Sequence, residues 1–264
     1  MEILEKSMAT LEVKELSRYF GGLAAVSELD FQVNEGEILG LIGHNGAGKT
    51  TVFNLITGVF KPQRGQVFFR GREITHARTH AIARQGLVRT FQATNLFKEM
   101  TVWENLIVAH HLHFRRGFFG RILNLPSVQR DFRESRKRAE EIIAFLRLSE
   151  LKDELAKNLP HGHQRALGIG IALAAEPKLL LLDEPVTGMN PEETEEMVER
   201  IREIRGRGIT IVIIEHDMKA VMGLSDRIVA MGFGRKIAEG RPEEIQHNQT
   251  VIESYLGAEE EGQT

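Results

Sequence analysis

Residues Gly43-His44-Asn45-Gly46-Ala47-Gly48-Lys49-Thr50 combine three glycines, a lysine and a hydroxyl at the spacing G-x-x-x-x-G-K-[ST]. That spacing suits a polyphosphate. Glycines let successive backbone N–H groups turn inward on phosphate oxygens without a Cβ in the way. The helix that follows, from Thr51, would direct its positive end at the same anion. Lys49 would bring a mobile charge to the β- and γ-phosphates, and the Thr50 hydroxyl can ligate Mg²⁺.

A second group of candidates follows Leu179-Leu180-Leu181-Leu182, where the apolar run ends in Asp183-Glu184. Many strands end in a solvated pair of acids. Beside a phosphate loop, however, Asp183 would hold Mg²⁺ directly or through water, and Glu184 would orient or deprotonate an attacking water. His216 follows the β-branched run Ile209 to Ile214 through Glu215. At a strand's carboxyl end it is placed for a γ-phosphate contact. Gln92, in Arg89-Thr90-Phe91-Gln92, stands where a β-rich pattern gives way to a helical one. Taken alone it reads equally well as an exposed loop amide.

These residues need a framework. Leu11 to Val13 and Leu29 to Val33 alternate apolar and polar residues, as half-buried strands do. Glu37 to Ile42 is more continuously apolar, Lys178 to Asp183 is an apolar run ending in a carboxylate, and Ile209 to Ile214 is β-branched and apolar, which suits buried strands. Thr51 to Ile56 reads as a helix and Gln66 to Gly71 as a short strand. From about Phe97 to Leu159 the pattern is helical, with Ala139, Ile142, Ile143 and Leu146 on one face of Arg133 to Leu148. Within it, Phe114 to Arg121 is basic and aromatic and reads as a solvated loop or as a contact with a partner or anionic lipid. Asn190 before Pro191 predicts a capped helix start. Ala258 to Thr264 reads as a polar tail.

The 264 residues, 42% hydrophobic and 27% charged, are ordinary for a globular protein. A net charge of -3 argues against nucleic acid as the partner. The absence of cysteine excludes disulfides and thiolate metal sites. Met1 to Thr10 carries Glu2, Glu5 and Lys6 and is not expected to act as a secretory signal. Ala166 to Ala175, the longest uncharged apolar stretch, is about half of what a bilayer requires. Work at a membrane would therefore require docking onto a spanning partner.

In order and spacing, these motifs resemble the ATP-binding-cassette (ABC) ATPases over nearly the whole chain. Walker A is Gly43 to Thr50, the Q-loop carries Gln92, the signature segment is Leu159 to Arg165, and Walker B is Leu179 to Asp183, followed by Glu184 and the switch residue His216. The resemblance implies an α/β fold with a P-loop NTPase core, an N-terminal antiparallel β subdomain and a helical insertion. As a single domain this would span 1–257, with the core at about 1–92 and 166–257, the insertion at about 93–165 and a tail at 258–264. It implies ATP and Mg²⁺ as cofactors, with Glu184, His216 and Gln92 catalytic and Thr50, Gln92 and Asp183 at the metal. Phe20 matches the aromatic on which the family stacks adenine, and Gly162 the signature amide that meets the nucleotide. Phe20 to Val26, Gly86 to Gln92, Met100 to Leu106, Gly188 to Thr194 and Asp226 to Gly257 look like the ATP-binding subunits of branched-chain amino-acid importers. Importers for urea or amides share much of this. Exporters such as those for lipopolysaccharide share the core, and soluble cassette proteins acting on nucleic acid or ribosomes form a further class.

The importer resemblance implies a second ATP-binding subunit, identical or similar, permease subunits in the membrane, and indirectly a solute-binding protein. It places the chain peripherally at the cytoplasmic face of the inner membrane. Two departures stand out. The family's Leu-Ser-Gly-Gly-Gln signature is Leu159-Pro160-His161-Gly162-His163 here, without the serine hydroxyl, and Asn190 stands where many relatives have aspartate. Gly168 and Gly170 each lower the stability of a helix by up to about 1 kcal/mol relative to alanine, with no reason visible in the sequence.

Overall fold

The computed structural model describes residues 9–90, 96–110 and 126–254, with side chains omitted at 110 and 126–132. The chain divides into two compact units, one formed by Met1–Arg89 with Lys178–Thr264 and the other by Thr90–Pro177.

The first unit contains two sheets. In the antiparallel one, β1 (Leu11–Phe20), β2 (Leu23–Val33), β4 (Arg64–Phe69) and β5 (Arg72–Glu73) run in the order β2-β1-β4-β5. Both long strands continue past the alternation visible in the sequence. Glu15 and Glu28 adopt left-handed backbone, at φ 48° and 50°, and the β1–β2 register slips between Val13 and Leu16 and again between Leu16 and Arg18. Each slip resets which residues face inward, so a period-two reading ends at the first one.

The second sheet holds β3 (Ile38–Ile42), β6 (Leu87–Arg89), β7 (Leu179–Asp183), β8 (Thr210–Ile214), β9 (Arg227–Gly232) and β10 (Arg235–Gly240) in the order β10-β9-β3-β8-β7-β6. Its strands are parallel except β10, which returns antiparallel to β9. Every residue of β3, β7 and β8 is buried, as their uninterrupted apolar composition predicts. Helix α1 (Lys49–Ile56) places Val52, Phe53, Leu55 and Ile56 in one core with residues of both sheets, including Leu16, Leu29, Leu41, Leu181 and Val229. Because β3, β7 and β8 run parallel, the segments after them, at Gly43, Glu184 and Glu215, leave the sheet at the same edge. That edge is where ligands bind in such sheets.

This unit also holds helices α2 (Thr79–Arg84), α6 (Pro191–Gly206), α7 (Met218–Leu224) and α8 (Pro242–Gln246). The predicted start of α6 is present. The Asn190 side chain accepts from Glu193 N–H at 2.9 Å, Glu193 Oε2 accepts from Asn190 N–H at 3.1 Å, and Pro191 follows the cap. Among the described residues, no helix is long and apolar enough to cross a membrane.

In the second unit, α3 (Val102–His110), α4 (Pro126–Phe145) and α5 (His161–Ala174) pack on one another. The sequence reading divided core from insertion at about residue 165; α5 instead lies with the helices before it. Gly170 shows why. A Cβ there would come 2.5 Å from Leu146 Cδ1 and 3.2 Å from both Ile142 Cγ2 and Leu106 Cδ2, so these buried side chains would have to shift to admit one. Gly168 faces open space, and nothing in the structure explains it. The Thr101-Val102-Trp103-Glu104-Asn105 run gains a local reason too. Thr101 Oγ1 and Glu104 Oε2 form a reciprocal cap on α3, while buried Asn105 accepts from Phe97 N–H and donates to the carbonyls of Phe97, Met100 and Thr101.

Candidate nucleotide site

The phosphate loop joins β3 to α1 and is held by close backbone packing. Gly48, at φ 99°, caps α1 without any side-chain bond, and a Cβ on it would meet Ala25 O at 2.3 Å. A Cβ on Gly43 would meet Met231 O at 2.4 Å. Glycine is therefore required at both ends of the loop: one leans on β2, the other on β9. Lys49 is buried, and its Nζ donates to the carbonyls of Gly43 at 2.6 Å and His44 at 3.0 Å, folding the side chain back across the loop. Burial pulls this ammonium below its ordinary pKa, and the charges of Glu184 and Asp183 pull it back up. A bound polyphosphate would add negative charge beside it and favour the charged form further.

Around the loop lies a cavity of about 600 Å³, lined by Phe20, Leu23, Ala24, Ala25, Asn45 to Thr51, Glu184, His216 and Phe233. Phe20 is 41% exposed. It meets Phe60 edge-on at 5.4 Å and carries the Arg18 guanidinium 4.8 Å from its centroid. An aromatic held this way can present a face to a planar base.

At the ends of β7 and β8, Glu184 and His216 come together. His216 Nε2–H donates to Glu184 Oε1 at 2.7 Å. Glu184 adopts left-handed backbone at φ 51°, and its own N–H donates to Ile214 O at 2.9 Å. Such a conformation is retained only where its surroundings over-determine it, and it occurs disproportionately at functional sites. Asp183 is buried, and its Oδ2 accepts from Arg89 at 2.5 Å. The same guanidinium donates to Asn54 Oδ1 at 2.6 Å and lies 5.5 Å from the Phe53 centroid. Removing either partner of such a pair would strand a buried charge, at about 3–5 kcal/mol.

Glu215, which the sequence motifs do not single out, sits between Glu184 and His216 at this strand edge. It is 1% exposed. Its carboxylate accepts from Val186 N–H at 2.6 Å, His216 N–H at 3.0 Å and the Thr187 hydroxyl at 3.4 Å, joining the segment after Glu184 to His216. Burial raises its carboxyl pKa; the Val186, His216 and Asp217 amides oppose the rise, and the Glu184 charge adds to it. The folded protein therefore binds this proton more tightly than the unfolded chain does. Its stabilising effect is complete below the ordinary glutamate pKa of about 4.3 and is lost as pH climbs through the raised folded value. Glu215→Gln removes the titration, so the Tm of the parent minus that of the variant should shrink as pH rises from about 4 toward neutrality. A difference that stays level across that range would contradict the assignment.

The structure thus gathers Phe20, Asn45 to Thr51, Glu184 and His216 around one cavity, while Gly43, His44 and Asp183 adjoin lining residues in the chain without lining it themselves. Gln92, the Phe114 to Arg121 run and the tail from Ala258 lie outside the described residues. Gly162 is in the first turn of α5, whose cap residue Pro160 offers no side-chain bond. Arg89, Asn54, Glu215 and Phe233 were not anticipated as site residues. The one advance signal among them was Phe233, an aromatic between two glycines.

The residues fit a magnesium-bound triphosphate. The glycine cradle is open at Gly46, where a Cβ would meet nothing within 4 Å. Among the described residues no group of three or more His, Cys, Asp or Glu could hold a metal unaided. Thr50 and Asp183 supply hard oxygens, the donor type of a metal ligated mainly by phosphate and water.

Comparison with known proteins gives the same direction. The family described as ABC transporter matches residues 26–187, and the one described as branched-chain amino acid ATP-binding cassette transporter matches residues 235–261. The high-affinity branched-chain amino acid transport ATP-binding protein LivG of Salmonella typhimurium is 46% identical over 252 residues, covering 95% of this chain and 99% of that protein. The corresponding protein BraF of Pseudomonas aeruginosa is 43% identical over the same shares. A solved structure of the ADP conformation of an ATP-binding cassette of an ABC transporter superposes with a TM-score of 0.82 at 32% identity, covering 95% of this chain and 99% of that one.

Proposed function

The chain belongs to the ABC transporter family, and on that premise we propose that it is the ATP-hydrolysing subunit that drives import of branched-chain amino acids. The observation that carries the chemistry is the 2.7 Å bond between Glu184 and His216 at the wall of the cavity that holds the phosphate loop. It supports the reading because a carboxylate and an imidazole paired beside Lys49 could act together on the γ-phosphate of a bound nucleotide.

Each residue then has a task. Phe20 stacks on adenine. The amides from Gly43 to Thr51, with Lys49, surround the phosphates. Thr50, Asp183 and Gln92 would hold Mg²⁺, which when bound would offset the negative charge that develops on the phosphates. Glu184 takes the proton of the attacking water. His216 fixes the Glu184 carboxylate and reaches the γ-phosphate, while Arg89 and Asn54 hold Asp183 in place.

Two such subunits pair head to tail, each bringing its Gly162 segment to the nucleotide of the other. ATP thereby makes contacts that exist only in the closed pair, which is how a ligand drives a conformational equilibrium. Loss of the γ-phosphate releases it. The helical unit passes closure to permease subunits at the cytoplasmic face of the membrane.

With the purified permease subunits in vesicles, ATP turnover should rise several-fold when a leucine-loaded binding protein is added. Stimulation by a urea- or amide-loaded binding protein and none by leucine would reassign the solute. Turnover that ignores every such protein would overturn the importer reading.

A further inference from the structure

Phe233 is at odds with its surroundings. It sits at the tip of the β9–β10 hairpin with φ 48°, a backbone region that L side chains rarely adopt, and 68% of its surface is exposed. Turns of this kind favour Asn, Asp or Gly. Neither turn chemistry nor burial accounts for an aromatic there, and its ring lines the nucleotide cavity.

The tip is clamped to the phosphate loop. Gly234 N–H donates to Ala47 O at 3.1 Å, and Gly234 O accepts from Ser27 N–H at 2.8 Å. This brings the Phe233 ring to His44, with centroids 4.9 Å apart and planes at 54°. His44 Nδ1–H also donates to Asn45 O at 2.7 Å, while Nε2 is buried with no hydrogen-bond partner among the described residues. The imidazole is thus held by one bond to its own loop and one contact with an aromatic ring.

Resting on the nucleotide reading above, we infer that Phe233 is a positioning residue of the ATP site: pressed on His44, it fixes the His44-Asn45-Gly46 arch of the phosphate loop before nucleotide arrives. Without the ring the arch samples more conformations, and binding must order it. An aromatic pair of this kind accounts for about a three- to tenfold change in affinity.

Phe233→Asn separates this role from a structural one, because asparagine tolerates left-handed backbone. Its Tm without nucleotide should equal or exceed that of the parent, while its Kd for MgATP rises about three- to tenfold. Phe233→Tyr, which keeps the ring, should bind as the parent does. In a His44→Ala background the substitution should have no further effect, since its partner is already gone. Parental affinity in Phe233→Asn, or an undiminished effect in His44→Ala, would overturn the assignment alone. A Tm that falls along with affinity would make Phe233 merely structural and overturn it likewise. If the parent itself fails to bind MgATP in the same titration, the nucleotide reading falls first and takes this inference with it.

Discussion

Glu184→Gln protein is expected to bind MgATP as tightly as its parent, or slightly more tightly, and to hydrolyse it at least about a hundredfold more slowly. The two side chains have nearly the same shape, so the turn after β7, set by the Glu184 N–H bond to Ile214 O, should persist. Glutamine can also still meet the His216 ring, 2.7 Å away in the parent. What it lacks is basicity: an amide cannot take the proton of an attacking water, and general-base catalysis contributes about 10²–10⁴ in rate. Binding should tighten a little because a negative charge facing the γ-phosphate has been removed. A single-turnover assay beside an equilibrium titration separates the two effects. Unchanged turnover would dismiss Glu184 as the base and leave His216 without the partner that gives it a role.

Lys49→Ala has the opposite profile. Its Nζ is poised by two loop carbonyls in a buried site, so a triphosphate would meet a preorganised cation there. Truncating one member of a buried charge contact weakens binding by about 2–5 kcal/mol, or at least about thirtyfold in Kd for MgATP. The fold should survive, because the glycine packing on Ala25 and Met231 is backbone against backbone and does not involve this side chain. Circular dichroism and Tm check that point. If folded Lys49→Ala protein bound MgATP with parental affinity, the cavity would not be a nucleotide site, and the catalytic roles given to Glu184 and His216 would have no substrate to act on.

The phosphate loop was legible from sequence because its chemistry is contiguous: cradle, lysine and hydroxyl fall within Gly43 to Thr50. The start of α6 was legible for the same reason, its reciprocal cap joining residues three apart. The buried strands announced themselves by short apolar runs rich in Leu, Ile and Val, which suit strands buried on both faces. What the local pattern could not carry were contacts set by strand order. Val186 and Glu215 are 29 residues apart, Arg89 and Asp183 are 94 apart, and they meet only because β8 lies beside β7 and β7 beside β6. Phe233 reaches His44 because β9 pairs with β3 and the hairpin tip docks on Ala47. Gly170 looked like a defect in a helix until Leu106, Ile142 and Leu146 occupied the space its side chain would need. Sequence alone determined which groups could do the chemistry, since a local chain segment fixes its own hydrogen-bonding and charge. Tertiary structure decided what holds those groups in place, since that depends on which distant backbones the packed sheet brings into contact.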